Sequence, residues 1–324
     1  MPGRSTFIPP GLRTPRVPYR GTLKRFDACG RRSDGPGQAT VGHMKSELLA
    51  LSAILLWGSL AALGVSLSHV PPFLLTGLGL LVGSLIAYPL SGFQLSRLRV
   101  PPQTLILGVY GLFGFHLLLF IALRTAPAVE ANLINYLWPL GMVVLAPLLL
   151  PGTTLRGTHV FAALMGLCGA AIAILGQGSA GSQSFAGGFH AGYLYAFGSA
   201  IVWATYSLLT RRITPFSTAA VGSFAAVSGG LSLLLHVLFE PSVSLSVNDL
   251  LLIAMLGLGP LGGAFFLWDA ALKVGDPRRI GLLAFLTPLL STVTVVLSTG
   301  QDFSPHILVA AALIVSAAAI GRKT

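Results

Sequence analysis

Charge is the scarcest commodity in this chain of 324 residues: Asp, Glu, Lys and Arg make up 9% of it, against about 25% in soluble domains. Acids are rarer still, nine against twenty Lys and Arg. Too little polar sequence remains between the apolar runs to build a soluble catalytic or binding domain. Cys29 and Cys168 are too few and too far apart for a metal site or a disulfide framework. No glycine-rich phosphate loop followed by Lys and Ser/Thr occurs, which argues against direct use of ATP, and no cofactor is expected. His, Asp and Glu do not cluster at catalytic spacing, so the chain does not read as an intramembrane enzyme. A channel is also disfavoured, because no Gly-aromatic-Gly filter loop or charged ring is present.

What the chain has in excess is apolar length. Ten stretches, at 46–68, 72–91, 104–124, 128–150, 157–177, 190–211, 216–240, 249–274, 277–299 and 305–321, are each long enough to cross a bilayer. About 20 helical residues suffice for that. The 39 glycines suit close helix approach in lipid, where packing rather than water exclusion holds a bundle together. The net charge of +11 does not point to nucleic acid, since eight of the Lys and Arg lie before Met44 and most others sit in short connecting loops. With a cytoplasmic N-terminus, nineteen of the twenty fall on the inner side and only Arg124 lies outside, with Glu130, Glu240, Asp249 and Asp302. Such asymmetry puts both termini in the cytoplasm.

Residues 1–43 are rich in Arg, Pro and Gly, without the apolar core of a secretory signal. They read as a disordered basic extension. Met44-Lys45-Ser46, just ahead of the first stretch, reads as an alternative or true start.

The second half repeats the first. At an offset of 149 residues, Leu107-Gly108 recurs as Leu256-Gly257, Gly114 as Gly263, and Ala122-Leu123-Arg124 as Ala271-Leu272-Lys273. Leu133, Leu137, Pro139 and Leu140 recur as Leu282, Leu286, Pro288 and Leu289, and Trp57 pairs with Trp203 at a slightly shorter offset. Five spans per half is odd, so the halves cross the membrane in opposite senses, the arrangement expected for alternating access. The expected fold is therefore an all-α membrane protein of ten transmembrane helices in a 5+5 inverted repeat. Residues 44–177 form the first repeat and 190–321 the second.

Ten short-looped spans in such a repeat resemble the drug/metabolite transporter superfamily, EamA type. The segments at 122–139 and 271–288 resemble that family's two helix-turn-helix signatures, and the resemblance covers residues 46–321. Within it, Glu130-Ala-Asn-Leu-Ile-Asn-Tyr-Leu-Trp-Pro139 is similar to the YddG branch, whose members export aromatic and other neutral amino acids. The resemblance implies a basket-like bundle with a central cavity, an amino-acid substrate and a location in the inner membrane of a bacterium. A secondary transporter exporting neutral and aromatic amino acids is the leading reading. Transport of another small metabolite or a lipid headgroup is the alternative.

Candidate residues follow from helical spacing. Asn132, Asn135, Tyr136, Trp138 and Pro139 share an arc of roughly 160°, and amides are costly in hydrocarbon, so this face turns inward. An amide pair beside aromatic rings suits a zwitterion with an apolar side chain; alternatively, the amides bond neighbouring helices. Ser199, Trp203, Tyr206, Ser207 and Thr210 form a second inward stripe. Trp57 competes with a Ser52, Ser59 and Ser66 face on the opposite side of its helix. His116, mid-span, lines the cavity, carries a coupling proton or bonds a neighbour. Pro139 and Pro288, at matching depths, are either paired kinks that hinge a gate or tolerated membrane prolines. Asp269 pairs with Lys273, four residues on and possible partners Arg278 and Arg279 nearby, as a structural ion pair or a gate latch. Trp268 reads equally as an interface anchor and a substrate contact.

The charge count makes a testable statement. Single cysteines at Ser182→Cys and Asp302→Cys are expected to react with an impermeant thiol reagent in intact cells. Leu98→Cys and Ile213→Cys are expected to react only after the inner face is opened. Labelling of position 98 from outside would reverse the topology.

Overall fold

The computed structural model describes residues 36–175, 190–299 and 305–322. Most of the basic extension, at 1–35, lies outside the described residues. Among those described, every regular element is helical, and helix occupies each of the ten apolar stretches. The helices are α1 (Pro36–Gly58), α2 (Leu60–Ser66), α3 (Pro72–Ser84), α4 (Ala87–Leu90), α5 (Pro102–Val109), α6 (Phe115–Thr125), α7 (Ala128–Asn135) and α8 (Trp138–Leu149). They continue as α9 (Gly157–Leu175), α10 (Gly192–Leu209), α11 (Val221–Phe239), α12 (Val247–Leu258), α13 (Ala264–Val274), α14 (Pro277–Ala284), α15 (Leu286–Thr299) and α16 (Pro305–Arg322). The first helix thus begins at Pro36, ahead of the apolar run it serves.

Among the described residues, seven helical segments are long and apolar enough to cross a membrane: Met44–Gly64, Pro72–Leu90, Pro102–Thr125, Ala128–Leu149, Gly157–Leu175, Thr218–Phe239 and Val247–Val274. Pro305–Gly321 is apolar but shorter. The remaining two segments have physical reasons to differ. Residues 277–299 are broken into α14 and α15. Tyr193, Tyr195, Trp203, Tyr206 and Ser207 dilute the apolarity of α10, and three of these are buried inside the bundle. Conversely, Ile106, Leu148, Val237 and Leu308 are each at least two-thirds exposed, the surface a helix presents to lipid.

The breaks are placed by proline. A proline removes its own N–H and crowds the carbonyl four residues earlier. Helix α7 ends at Asn135, four before Pro139, and α14 ends at Ala284, four before Pro288. Both prolines therefore stand just beyond a break. Two π-helical turns interrupt other rods, Tyr110–Gly114 between α5 and α6, and Gly259–Gly263 between α12 and α13. They start 149 residues apart, at 110 and 259, and end 149 apart, at 114 and 263. The bounds of α13 and α14 reproduce those of α6 and α7 at the same offset.

Helix α3 packs along α11 and α12, α10 along α6 and α8, and α16 along α9. Glycine permits the tightest crossings. A Cβ on Gly257 would stand 2.6 Å from the carbonyl oxygen of Gly79, and one on Gly83 2.7 Å from the Cα of Gly262. These neighbours are backbone and cannot rotate away. Gly230, by contrast, faces open space. Gly257→Ala is expected to destabilise the folded protein by about 1–3 kcal/mol, read as a lower unfolding temperature in detergent. Gly230→Ala should be neutral or stabilising by up to about 1 kcal/mol, the helix propensity difference.

Candidate functional site

The π turns and proline breaks surround a cavity of about 360 Å³ in the middle of the bundle, within the range of about 300–1,000 Å³ common for small-ligand pockets. Its wall is largely apolar and aromatic: Trp57, Phe115, Phe120, Trp138, Trp203 and Phe265 among rings, with Leu75, Leu119, Leu256 and Leu261. The polar wall groups are Thr76, His116, Asn132, Asn135, Tyr136, Thr287 and Ser291. No Lys, Arg, Asp or Glu is among the lining residues. The wall offers hydrogen bonds but no net charge.

Individual bonds fix how the polar groups are presented. His116 Nδ1 lies 2.6 Å from the carbonyl oxygen of Leu112, one turn earlier. A carbonyl only accepts, so Nδ1 carries the proton and Nε2 of the neutral ring is an acceptor. The one Ser199 hydroxyl proton is shared between Asn135 Oδ1, at 2.8 Å, and the Ala196 carbonyl, at 2.7 Å, and the amide nitrogen of Asn135 remains a donor. Thr287 Oγ1 is buried and has no hydrogen-bond partner among the described residues.

All four tryptophans of the chain meet at the bottom of this cavity. Trp57 lies 6.4 Å from Trp138, 5.7 Å from Trp203 and 5.1 Å from Trp268, centroid to centroid. The other three pairs fall between 5.6 and 6.5 Å. Two indole N–H groups are satisfied within the cluster's surroundings, Trp57 by the Pro260 carbonyl at 3.1 Å and Trp268 by the Ser207 hydroxyl at 3.1 Å. The Pro260 carbonyl belongs to the second π turn, so that turn anchors Trp57.

The lining residues run from this floor toward the end of the bundle that holds Pro72 and Arg124. Toward the opposite end the rods are closed. Tyr206, below the floor, and Trp268, at its base, are both buried, at 3% and 1% exposure. Below them, Lys273 Nζ is 2.6 Å from Asp269 Oδ2. Arg211 donates to the Gly275 carbonyl, and Arg278 spans from Asp276, at 2.6 Å, to the Thr154 carbonyl, at 2.6 Å.

Seven of the residues singled out from the sequence, Trp57, His116, Asn132, Asn135, Tyr136, Trp138 and Trp203, stand together on the cavity wall. Tyr206 and Ser207 do not. Tyr206 tilts against Trp203 from below, at 5.3 Å, and Ser207 serves Trp268. Trp57 rather than the serine face of its helix turns inward, since Ser52 and Ser66 are exposed. Trp268 is neither an interface anchor nor a wall residue but the buried base of the cluster. Arg278 pairs with Asp276 instead of reaching Asp269. Sequence reasoning passed over Phe115, Phe120, Phe265, Thr76, Thr287 and Ser291. The phenylalanines are indistinguishable by residue type from lipid-facing ones, and only the register of Thr287 against Trp138, 149 residues apart, hinted at a shared depth.

Comparison with known proteins agrees with this geometry. The EamA-like transporter family matches the chain twice, over residues 44–175 and 190–320. The chain is 42% identical over 283 residues to an aromatic amino acid exporter YddG of Ancylobacter novellus, covering 86% of this chain and 98% of that one. It is 26% identical over 280 residues to the aromatic amino acid exporter YddG of Escherichia coli K12, covering 81% and 92%. A probable amino-acid metabolite efflux pump of Salmonella typhimurium LT2 is 27% identical over 297 residues, covering 84% and 93%. A crystal structure with 40% sequence identity superposes with a TM-score of 0.79, covering 86% of this chain and 95% of the other.

The closed end makes a pH-dependent prediction. Burial works to raise the Asp276 carboxyl, but hydrogen bonds from Arg278 and the charges of Arg278 and Arg279 outweigh it and hold the group below the usual carboxylate range. A depressed folded value means the stabilisation is complete above the unfolded value and is lost as pH falls through the folded one. Asp276 also caps α14 by accepting from the Arg278 N–H at 2.9 Å. Asp276→Ala is expected to destabilise by about 0.5–2 kcal/mol at neutral pH. The gap from the parent in thermal unfolding should shrink as the medium is acidified below the carboxylate range.

Proposed function

The chain belongs to the EamA-like transporter family, and on that premise we propose that it exports neutral and aromatic amino acids by alternating access around the mid-bundle cavity. It is a multi-pass protein of the bacterial inner membrane, and its family and relatives make it an exporter of amino acids or related metabolites. The finer reading is carried by one observation, the uncharged cavity in which amides and a neutral imidazole adjoin aromatic rings. A net-neutral zwitterion needs both a donor and an acceptor there, whereas a net charge would meet no opposite charge on the wall. The Asn135 amide nitrogen offers the donor for a carboxylate, and His116 Nε2 the acceptor for an ammonium. The rings of Trp138, Trp203 and Phe115 would receive an aromatic side chain.

The topology belongs to the same reading: ten spans in a 5+5 inverted repeat, residues 44–177 and 190–321, with cytoplasmic termini. The recurrence of π turns and helix bounds at one offset supports it, together with the Lys and Arg distribution. In that orientation the cavity opens outward and the closed end faces the cytoplasm. Export then requires the tryptophan floor to part while the outer rim closes, with Pro139 and Pro288 as hinges, as expected for a repeat whose halves exchange conformations.

Counterflow of labelled phenylalanine and threonine in liposomes tests this, normalised to inserted protein. Asn135→Ala is expected to weaken the apparent affinity for both by about tenfold to a hundredfold, the loss of a hydrogen bond to a charged group. Trp138→Ala should lower phenylalanine transport more than threonine transport, because ring packing adds about 0.5–1.5 kcal/mol beyond burial. Leu145→Ala, away from the wall, should have little effect. Unchanged normalised transport of both amino acids in the Asn135→Ala/Trp138→Ala double variant would remove the cavity from the mechanism.

A further inference from the structure

Each end of the bundle carries a cation paired with a carboxylate and set against a phenylalanine ring. At one end Arg124, at the end of α6, lies 2.7 Å from Glu240 and 5.8 Å from the centre of the Phe73 ring. At the other Lys273, its counterpart at the end of α13, lies 2.6 Å from Asp269 and 3.9 Å from the centre of the Phe216 ring. The two groups differ in how their carboxylates are used. Glu240 is saturated: besides Arg124 it accepts from the N–H groups of Phe73 and Leu74, at 3.1 and 3.2 Å, and pairs with His236 at 3.1 Å. Asp269 holds one cation through Oδ2. Its Oδ1 is buried without a well-formed hydrogen bond, although the Thr218 hydroxyl faces the carboxylate. The Asp269 side chain is 2% exposed. A buried carboxylate oxygen whose hydrogen bonding is incomplete is costly and has room for a further donor.

The Lys273 ammonium sits among three chemically distinct partners: the Asp269 carboxylate, the Thr218 hydroxyl at 3.1 Å and the Phe216 ring. Carboxylate, hydroxyl and aromatic face together are what selects a primary ammonium of any origin. Phe216 and Thr218 precede α11 while Asp269 and Lys273 lie on α13, so the cage is assembled from separate elements. Lys273 itself is 28% exposed and on a flexible stem, able to swing out.

We propose that Asp269, Thr218 and Phe216 form an entry site for the α-ammonium of an amino acid arriving from the cytoplasm, which Lys273 occupies as a tethered stand-in until the substrate displaces it. This rests on the export reading and on the cytoplasmic placement of the closed end. The substrate's ammonium takes the position of the lysine's, so the buried carboxylate is never left without a cation, and Oδ1 supplies an acceptor that the lysine leaves unused. The site is distinct from the cavity, lying on the other side of the tryptophan floor.

Displacement is read directly on the unaltered full-length chain in detergent. An amine-reactive ester acylates Lys273 and Lys45, quantified by peptide mass spectrometry, with Lys45 correcting for reagent consumed by added amines. Phenylalanine and n-butylammonium are each expected to raise the Lys273-to-Lys45 ratio about fivefold at saturation. The carboxylate 3-phenylpropionate should leave it unchanged. Phe216→Leu should raise the ratio without ligand about threefold, through loss of the cation–π contact. In Trp138→Ala the n-butylammonium response should persist, separating this site from the cavity. A ratio unmoved by n-butylammonium, in protein that still exchanges phenylalanine in liposomes, overturns the proposal and spares the export reading. In protein that exchanges no phenylalanine the export reading falls, and the n-butylammonium arm still decides whether the ammonium site exists.

Discussion

Four indole rings in mutual contact separate the cavity from the closed end of this bundle. Trp57, Trp138, Trp203 and Trp268 come from four different rods, so each ring ties the position of its own helix to three others. Aromatic pairs add about 0.5–1.5 kcal/mol each beyond the area they bury. The contacts are edge-to-face or tilted for the most part, with Trp203 and Trp268 nearly parallel at 29°. A floor of this kind has no hydrogen bonds between its members to break. The two indole N–H groups that are bonded, those of Trp57 and Trp268, reach outside the cluster, to Pro260 and Ser207.

Two of the backbone irregularities sit beside that floor and the cavity wall. The π turn at Gly259–Gly263 turns the Pro260 carbonyl toward Trp57, and its partner at Tyr110–Gly114 precedes Phe115 and His116 on the wall. Irregular backbone at membrane depth is tolerated where it is buried in protein or lines a cavity, and both turns satisfy that condition. The break before Pro139 leaves Asn135 at the end of α7 and Tyr136 just past it, and the break before Pro288 leaves Thr287 in the first turn of α15. Several wall residues therefore stand on short helical pieces, while unbroken rods such as α9, α11 and α16 frame the outside.

The two ends of the bundle are built from the same pieces with different outcomes. At the Arg124 end the carboxylate of Glu240 also caps α3, a role that only a fixed group can fill. At the Lys273 end the carboxylate of Asp269 caps nothing, and its Oδ1 lacks a well-formed hydrogen bond. A chain that moves substrate in one direction has a use for such asymmetry, because loading and release are chemically different tasks.

Much of this was legible in the linear sequence, for reasons that are local. Apolar length, scarce charge and the spacing of Lys and Arg specify helices in a bilayer, since hydrocarbon leaves unpaired backbone groups no other refuge. The 149-residue recurrence survives in Gly and Pro, because these residues mark close approaches and breaks that a fold cannot relocate freely. Inward faces were readable wherever amides or His116 made lipid exposure costly. What the sequence left open was decided by rotation and depth. Whether Trp57 or its serine face turned inward depended on Pro260, 203 residues away. Tyr206 and Ser207 share a stripe with Trp203 yet fall below the floor, because one helical turn is about 5.4 Å and the cavity ends within it. The pairing of Lys273 with Thr218 and Phe216, and the unused oxygen of Asp269, arise only where α13 meets the segment before α11, a contact no local pattern encodes.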